Sequence, residues 1–310
     1  MFVVCGEALF DVFPGTPSDT GLTLEGRIGG SPFNVAIGLA RLGEPVSYFG
    51  TLSRDVFGEQ LLRVLRAEGV HTESTQRSDA PTTLCIVGLD ARGVPSYTFH
   101  GERGADRDLT HAALDAIPPS ARAFHFGSYS MVVEPAATTL RALAEREHRR
   151  RLIAYDPNVR LHVEASRDRW RDVLQWMVPR THLLKVSEED LGLLYPGVAL
   201  PTLAARWIAE GVVLVVVTRG TTGAVAWTAK AQASRPARQV KVVDTVGAGD
   251  SFHAAMLAWL AEQEVLDPAA LGALSTSALE SMLNFPSLAA SITCSRRGAQ
   301  LPYRAELDGV

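Results

Sequence analysis

Cysteine is scarce in this sequence. Cys5, Cys85 and Cys294 are an odd set, widely spaced over 310 residues and without a Cys-x-x-Cys pair. That excludes a disulfide framework and a thiolate zinc site, and it fits a reducing compartment. Excess positive charge is also missing. The 30 Lys and Arg against 34 Asp and Glu leave a net charge of −4, whereas a general nucleic-acid binder carries a basic face. Long apolar runs are absent too. The stretch Val212 to Val217 is among the longest, far short of the roughly 20 residues of a membrane span. The opening Met1-Phe2-Val3-Val4-Cys5-Gly6-Glu7 has no basic leader and turns polar too soon for a signal peptide. A cytoplasmic protein without nucleic-acid or membrane partners is expected. The eight histidines contain no His-Glu-x-x-His, and no Gly-x-Ser-x-Gly marks a serine hydrolase.

With 46% hydrophobic residues, a chain this long buries about three quarters of its unfolded surface. Its apolar segments alternate between strand-like and helix-like. Phe2–Phe10 reads as a first buried strand. Ser31-Pro32 opens a helix through Leu42, with Ser31 as N-cap and proline's fixed φ at the first helical position. A strand near Val46–Phe49 and a helix Asp55–Ala67 follow. Ala123–Phe126, Leu152–Tyr155, His182–Val186 and Val212–Thr218 are further short apolar runs separated by helix-compatible stretches. This β–α alternation predicts parallel strands with helices on both faces. Then come a hairpin at Ala224–Thr228, a loop at Ala231–Arg238, a strand near Val240–Val243 and three helical segments, with Pro286 starting the last. Pro14–Ile28 and Thr82–Phe99, the latter turning at Asp90–Gly93, read as half-exposed β structure forming a small projecting sheet.

The most informative stretch is Val242-Val243-Asp244-Thr245-Val246-Gly247-Ala248-Gly249-Asp250-Ser251-Phe252, followed by the apolar helix Ala254–Leu260. Gly247, Ala248 and Gly249 let the backbone approach a ligand, and the following helix aims free N–H groups and its positive dipole end at it. An anion suits that loop. Asp250 would repel a resident phosphate, but it fits a phosphoryl group in transit if its carboxylate takes the proton of the attacking hydroxyl. The helix end is expected to keep Asp250 ionised. Together these residues predict phosphoryl transfer to an alcohol. No lysine follows the glycines as in a P-loop, and no Gly-x-Gly-x-x-Gly follows the first strand.

Here the sequence resembles the ribokinase, or PfkB, family of carbohydrate kinases, which carries Asp-Thr-x-Gly-Ala-Gly-Asp near its C-terminus and Gly-Gly-x-x-x-Asn near its N-terminus. The second motif reads Gly29-Gly30-Ser31-Pro32-Phe33-Asn34 here, and the resemblance runs end to end. Gly6–Asp11, Asp156–Arg160, Lys185–Glu189 and Thr293–Ala299 are most similar to the bacterial fructokinase branch. The resemblance implies a single three-layer α/β/α domain over 1–310, with a mostly parallel central sheet and a small β-sheet lid from segments 12–30 and 82–107. It implies ATP as donor and fructose as acceptor, phosphorylated on O6.

On the sugar side the resemblance places Asp11, Gly29, Gly30 and Asn34, joined by Arg160 and Arg103. Asp11 taken alone is equally a loop aspartate at a strand end, and Arg160, at the carboxyl end of a parallel strand, is equally a structural ion pair. Relatives commonly carry an arginine just after the aromatic residue of the lid strand; here either Arg103 serves from a shifted position or that sugar contact is lost, which bears on the choice of sugar and not on phosphoryl transfer. On the nucleotide side the resemblance places Lys185, Thr218, Gly220, Gly223 and Ser287. Glu188 would help place Mg²⁺ through water, and K⁺ would sit in the Asp244 and Arg297-Gly298 region. A homodimer pairing through the lid is implied as well. The alternatives are a 2-keto-3-deoxygluconate kinase or another sugar kinase, a binding regulator without catalysis, and, more distantly, a dehydrogenase.

Overall fold

The computed structural model describes residues 1–89 and 95–308, so the expected turn at Asp90–Gly93 lies outside the described residues. The strands are β1 (Phe2–Cys5), β2 (Leu9–Pro17), β3 (Leu22–Gly29), β4 (Val46–Phe49), β5 (Thr51–Ser53), β6 (Gln76–Ser78), β7 (Leu84–Leu89), β8 (Pro95–His100), β9 (Ala123–Gly127), β10 (Leu152–Asp156), β11 (Leu183–Ser187), β12 (Leu214–Thr218), β13 (Ala224–Trp227) and β14 (Gln232–Arg235). The helices are α1 (Ser31–Arg41), α2 (Val56–Ala67), α3 (Ala136–Glu147), α4 (Arg167–Met177), α5 (Glu188–Leu194), α6 (Leu200–Ala209), α7 (Ala248–Glu262), α8 (Pro268–Gly272) and α9 (Thr276–Cys294).

Eight strands make one sheet in the order β14-β13-β12-β11-β10-β9-β1-β4. It is parallel from β12 to β4, and β13 and β14 add an antiparallel edge. The two-residue alternation of each strand divides the interior. Val4, Ala154 and Val216 join α1, α2, α7 and α9 in one core. Val3, Tyr155 and Val217 join α3, α4, α5 and α6 in the other. Side chains alternate across a pleated strand, so near-continuous apolar runs must be covered on both faces. The three-layer prediction holds.

Separate from this body, β3-β2-β7-β8 form a four-stranded sheet. β2 pairs antiparallel with β3 and parallel with β7, which pairs antiparallel with β8.

Four local expectations are corrected. Phe2–Phe10 is two strands, because Gly6 takes a φ of 144° and the chain leaves the main sheet there for the small one. Ala231–Arg238 contains β14, whose residues pair with β13 although only Ala233 is buried. Val240–Val243 is not a strand: the Val243 and Asp244 N–H groups both donate to the Cys294 carbonyl at the end of α9. Pro286 lies inside α9, which begins earlier because the Ser275 hydroxyl accepts from Ala278 N–H.

The crossing of α1 and α7 sets the distance between the residues those two helices carry at their starts. A Cβ on Gly38 would lie 2.7 Å from Ala254 Cβ and 2.6 Å from Leu301 Cδ2. Only hydrogen fits there, so the two helices pack close together.

Candidate active site

Side chains from five chain segments converge at the carboxyl ends of the parallel strands, the edge where open α/β sheets collect ligands. α7 starts there. Its N-cap is Gly247, in the left-handed region at φ 76°; a Cβ on it would meet Ala299 Cα at 2.9 Å. The loop before it is fastened by Asp244, whose carboxylate accepts from Val246 N–H at 3.1 Å and Gly298 N–H at 2.7 Å.

Asp250 sits in the first turn of α7 and is buried. Its Oδ1 accepts from the Ser31 hydroxyl at 2.6 Å, and its Oδ2 accepts from Asn34 Nδ2 at 2.8 Å. Burial pushes its carboxyl above the ordinary aspartate range, while those two donors and the charges of Lys185 and Arg160 pull it back. Desolvation thus works against the ionisation that the helix end favours. An upward shift suits a proton acceptor working near neutral pH.

Ser31 also departs from expectation. The N-cap of α1 is Gly30, at φ 105°, and no side chain caps that helix. The Ser31 hydroxyl goes to Asp250 instead. Gly30 is obligatory, since a Cβ there would lie 2.7 Å from the Glu7 carbonyl oxygen. Gly29 makes room for Asp11: its Cβ would sit 2.5 Å from Asp11 Oδ2.

Asp11 is not in a loop. It lies in β2 between Arg27 of β3 and Cys85 of β7. Burial raises its carboxyl to about 6, against the Cys85 hydrogen bond and the Arg160 charge. Arg160 follows β10, and its charge bears on Asp11, Tyr97, Asp190 and Asp250. Arg103 is exposed in the turn after β8. Of the two arginines, Arg160 is therefore the one whose charge reaches both carboxylates.

Lys185, expected to reach nucleotide phosphates, is buried, and its Nζ lies 2.6 Å from Asp156 Oδ2. A Cβ on Gly249 would come within 3.2 Å of that ammonium, so the lysine charge lies beside the glycine loop. Glu188 begins α5 and pairs with Arg219 at 3.3 Å. Thr218 ends β12 beside Ser187. Gly220 and Gly223 follow with φ of 51° and 104°, and a Cβ on Gly223 would collide with the Arg235 carbonyl oxygen. The Ser287 hydroxyl donates to the Leu283 carbonyl at 2.7 Å within α9, so it is turned to its own helix.

Three features escaped the sequence reading. Ser31 is one, and its only signal was a position three residues before Asn34 on the same helical face. Asp156 is the second, missed because its partner lies 29 residues away. The third is an aromatic contact between body and small sheet, where His162 stacks on Tyr97 at 5.0 Å and tilts against Phe99 at 5.0 Å.

Residues 1–306 match the model of the pfkB family carbohydrate kinases. The chain is 36% identical to a fructokinase of Rhizobium leguminosarum bv. trifolii over 282 residues, 90% of this chain and 85% of that one. Among solved structures it resembles the fructokinase of Xylella fastidiosa with bound ATP, with TM-score 0.88, 28% identity and coverage of 99% and 96% of the two chains. It also resembles the Vibrio cholerae O395 fructokinase holding fructose, ADP and a calcium ion, with TM-score 0.82, 25% identity and coverage of 99% and 97%. With its glycine loop at the head of α7 and a match that spans nearly its whole length, the chain belongs to the pfkB family of carbohydrate kinases.

Proposed function

We propose that the protein is an ATP-dependent fructokinase that phosphorylates the 6-hydroxyl of D-fructose. The observation that carries this reading is the placement of Asp250. A buried carboxylate stands at the head of a helix, beside a side-chain-free anion loop, and within the field of Arg160. Fructokinase relatives, one solved with fructose and ADP, support the acceptor.

In the step, the sugar hydroxyl oxygen attacks the γ-phosphorus of ATP. The bond from phosphorus to the β-bridging oxygen breaks, ADP leaves, and the hydroxyl proton passes to Asp250. Asp11, Gly29, Gly30 and Asn34 orient the sugar, and Arg160 holds the acceptor end. Backbone N–H groups at the start of α7 and the Lys185 charge stabilise the transferring group, the largest contribution expected in such chemistry. The segments Thr218–Gly223 and Glu188 face the nucleotide, with Ser287 beside it on α9. The small sheet acts as a lid that excludes water from the reacting phosphate.

Among the described residues no three potential metal ligands converge. Half-buried Glu188, at the start of α5, would be the residue to hold a magnesium ion accompanying the nucleotide, for which a single carboxylate suffices. When bound, magnesium screens the charge of those phosphates. The Asp244–Gly298 region is proposed for a potassium ion. No described helix is long and apolar enough to cross a membrane. The three scattered, unbridged cysteines support a cytoplasmic location. A homodimer through the lid is the proposed assembly.

A sugar acid such as 2-keto-3-deoxygluconate needs a cationic clamp, for which Arg103 would have to join Arg160, and the fructokinase relatives favour the neutral sugar. ADP release across fructose, glucose, mannose, ribose and 2-keto-3-deoxygluconate, with the product position assigned by NMR, tests the reading. Fructose should give the highest kcat/KM and a phosphate on O6. A higher kcat/KM for another sugar would overturn it.

A further inference from the structure

We propose that Ser31 is a positioning residue that holds the Asp250 carboxylate through Oδ1, so that Oδ2 is the oxygen that receives the acceptor's proton. This rests on the reading of Asp250 as proton acceptor and adds to it the device that aims the base.

A serine at the N-cap of a helix ordinarily accepts from one of the free N–H groups there, but Ser31 stands one residue inside, after the N-cap Gly30. Helix α1 has no side-chain cap, and the buried hydroxyl is committed to Asp250 Oδ1 at 2.6 Å. Asn34 lies three residues further along the same face of α1 and takes the other oxygen at 2.8 Å. The two donors thus grip both ends of one carboxylate, and the close contact of Gly38 with Ala254 one turn further along fixes the spacing of the helices that carry them.

The two donors are not equivalent. The Asn34 side chain carries an amide donor and a carbonyl acceptor, and the site reading already assigns it to the sugar. It can turn to the polyol as substrate enters, freeing a lone pair on Oδ2. Ser31 has no such second task. Its bond to Oδ1 keeps the carboxylate plane fixed and favours the ionised form while the proton moves to Oδ2. The other groups bearing on Asp250 are the cations Lys185 of β11, itself paired with Asp156, and Arg160 after β10. Both favour ionisation, as Ser31 does, against burial. Losing the serine donor therefore shifts the balance toward the protonated, inactive acid.

The test is the pH profile of turnover in Ser31→Ala and Ser31→Thr. Ser31→Ala should lower kcat about tenfold at pH 7, with KM for fructose within about twofold, and should move the acidic limb of kcat to higher pH. Ser31→Thr, which keeps the hydroxyl, should restore most of both. Should Ser31→Ala fail to fold, Ser31→Cys, a weaker donor of similar size, should show an intermediate loss and a smaller shift. Unchanged kcat and acidic limb in Ser31→Ala, or in Ser31→Cys where that variant stands in, would overturn the inference while leaving an inactive Asp250→Asn intact. Near-wild-type turnover in Asp250→Asn would instead remove the underlying reading.

Discussion

Single side chains here are governed by whether burial or a partner dominates. Asp11 shows the balance in numbers. Its carboxyl is raised to about 6 by burial, and the Cys85 and Arg160 contributions only moderate that. A carboxylate that accepts from two sugar hydroxyls must be ionised, so affinity for the acceptor should fall as protons fill this group. KM for fructose is expected to rise as pH drops through about 6, and Asp11→Asn should show a high KM without that dependence. A wild-type KM that stays flat from about pH 5 to 8 would deny Asp11 its contact. Asp250 was visible in sequence because it sits in the long Asp244–Phe252 string between an apolar run and a helix, and Asp11 and Asn34 through the family resemblance. The role of Ser31 was hidden, because a serine beside a proline at a helix start has a common local explanation, the N-cap. The competing partner lies 219 residues away.

At the level of elements, hydrophobic pattern found the buried strands and failed where pattern and burial part company. β14 reads as a loop because one residue of its four is buried, and pairing with β13 makes it a strand. Val242 and Val243 read as a strand yet are 55% and 56% exposed. Pro286 reads as a helix start, but the Ser275 cap begins α9 eleven residues earlier, and tertiary packing carries the helix through the proline. The small sheet poses a different question. Among the described residues its outer strands β3 and β8 each pair on one side only, and β3 exposes Leu22 at 53% and Leu24 at 59%. An exposed apolar edge is a site for pairing with another chain. Sedimentation should therefore find two chains per particle, and Leu24→Lys should shift the mass to one. A wild-type mass of one chain would exclude the lid-paired dimer.

Across the whole molecule, the topology does what no single motif can. The parallel strands carry Arg160, Lys185, Glu188 and Thr218 toward one edge of one sheet, β1 leads on to Asp11, and α7 brings Asp250 to them. The β–α alternation made that edge predictable from sequence, because a helix between successive strands returns the chain to its starting side, so the strands run parallel and their carboxyl ends share one edge. The pairings across it were not predictable. Asp156 with Lys185, Ser31 with Asp250 and His162 with Tyr97 join segments whose spacing in sequence carries no signal. The central claim is Asp250 as proton acceptor, and the most direct measurement is kcat together with ATP and fructose dissociation constants in Asp250→Asn. We predict kcat lower by about a thousandfold, the scale of general-base catalysis, with both dissociation constants within about threefold of wild type. Turnover near that of the wild type would contradict it.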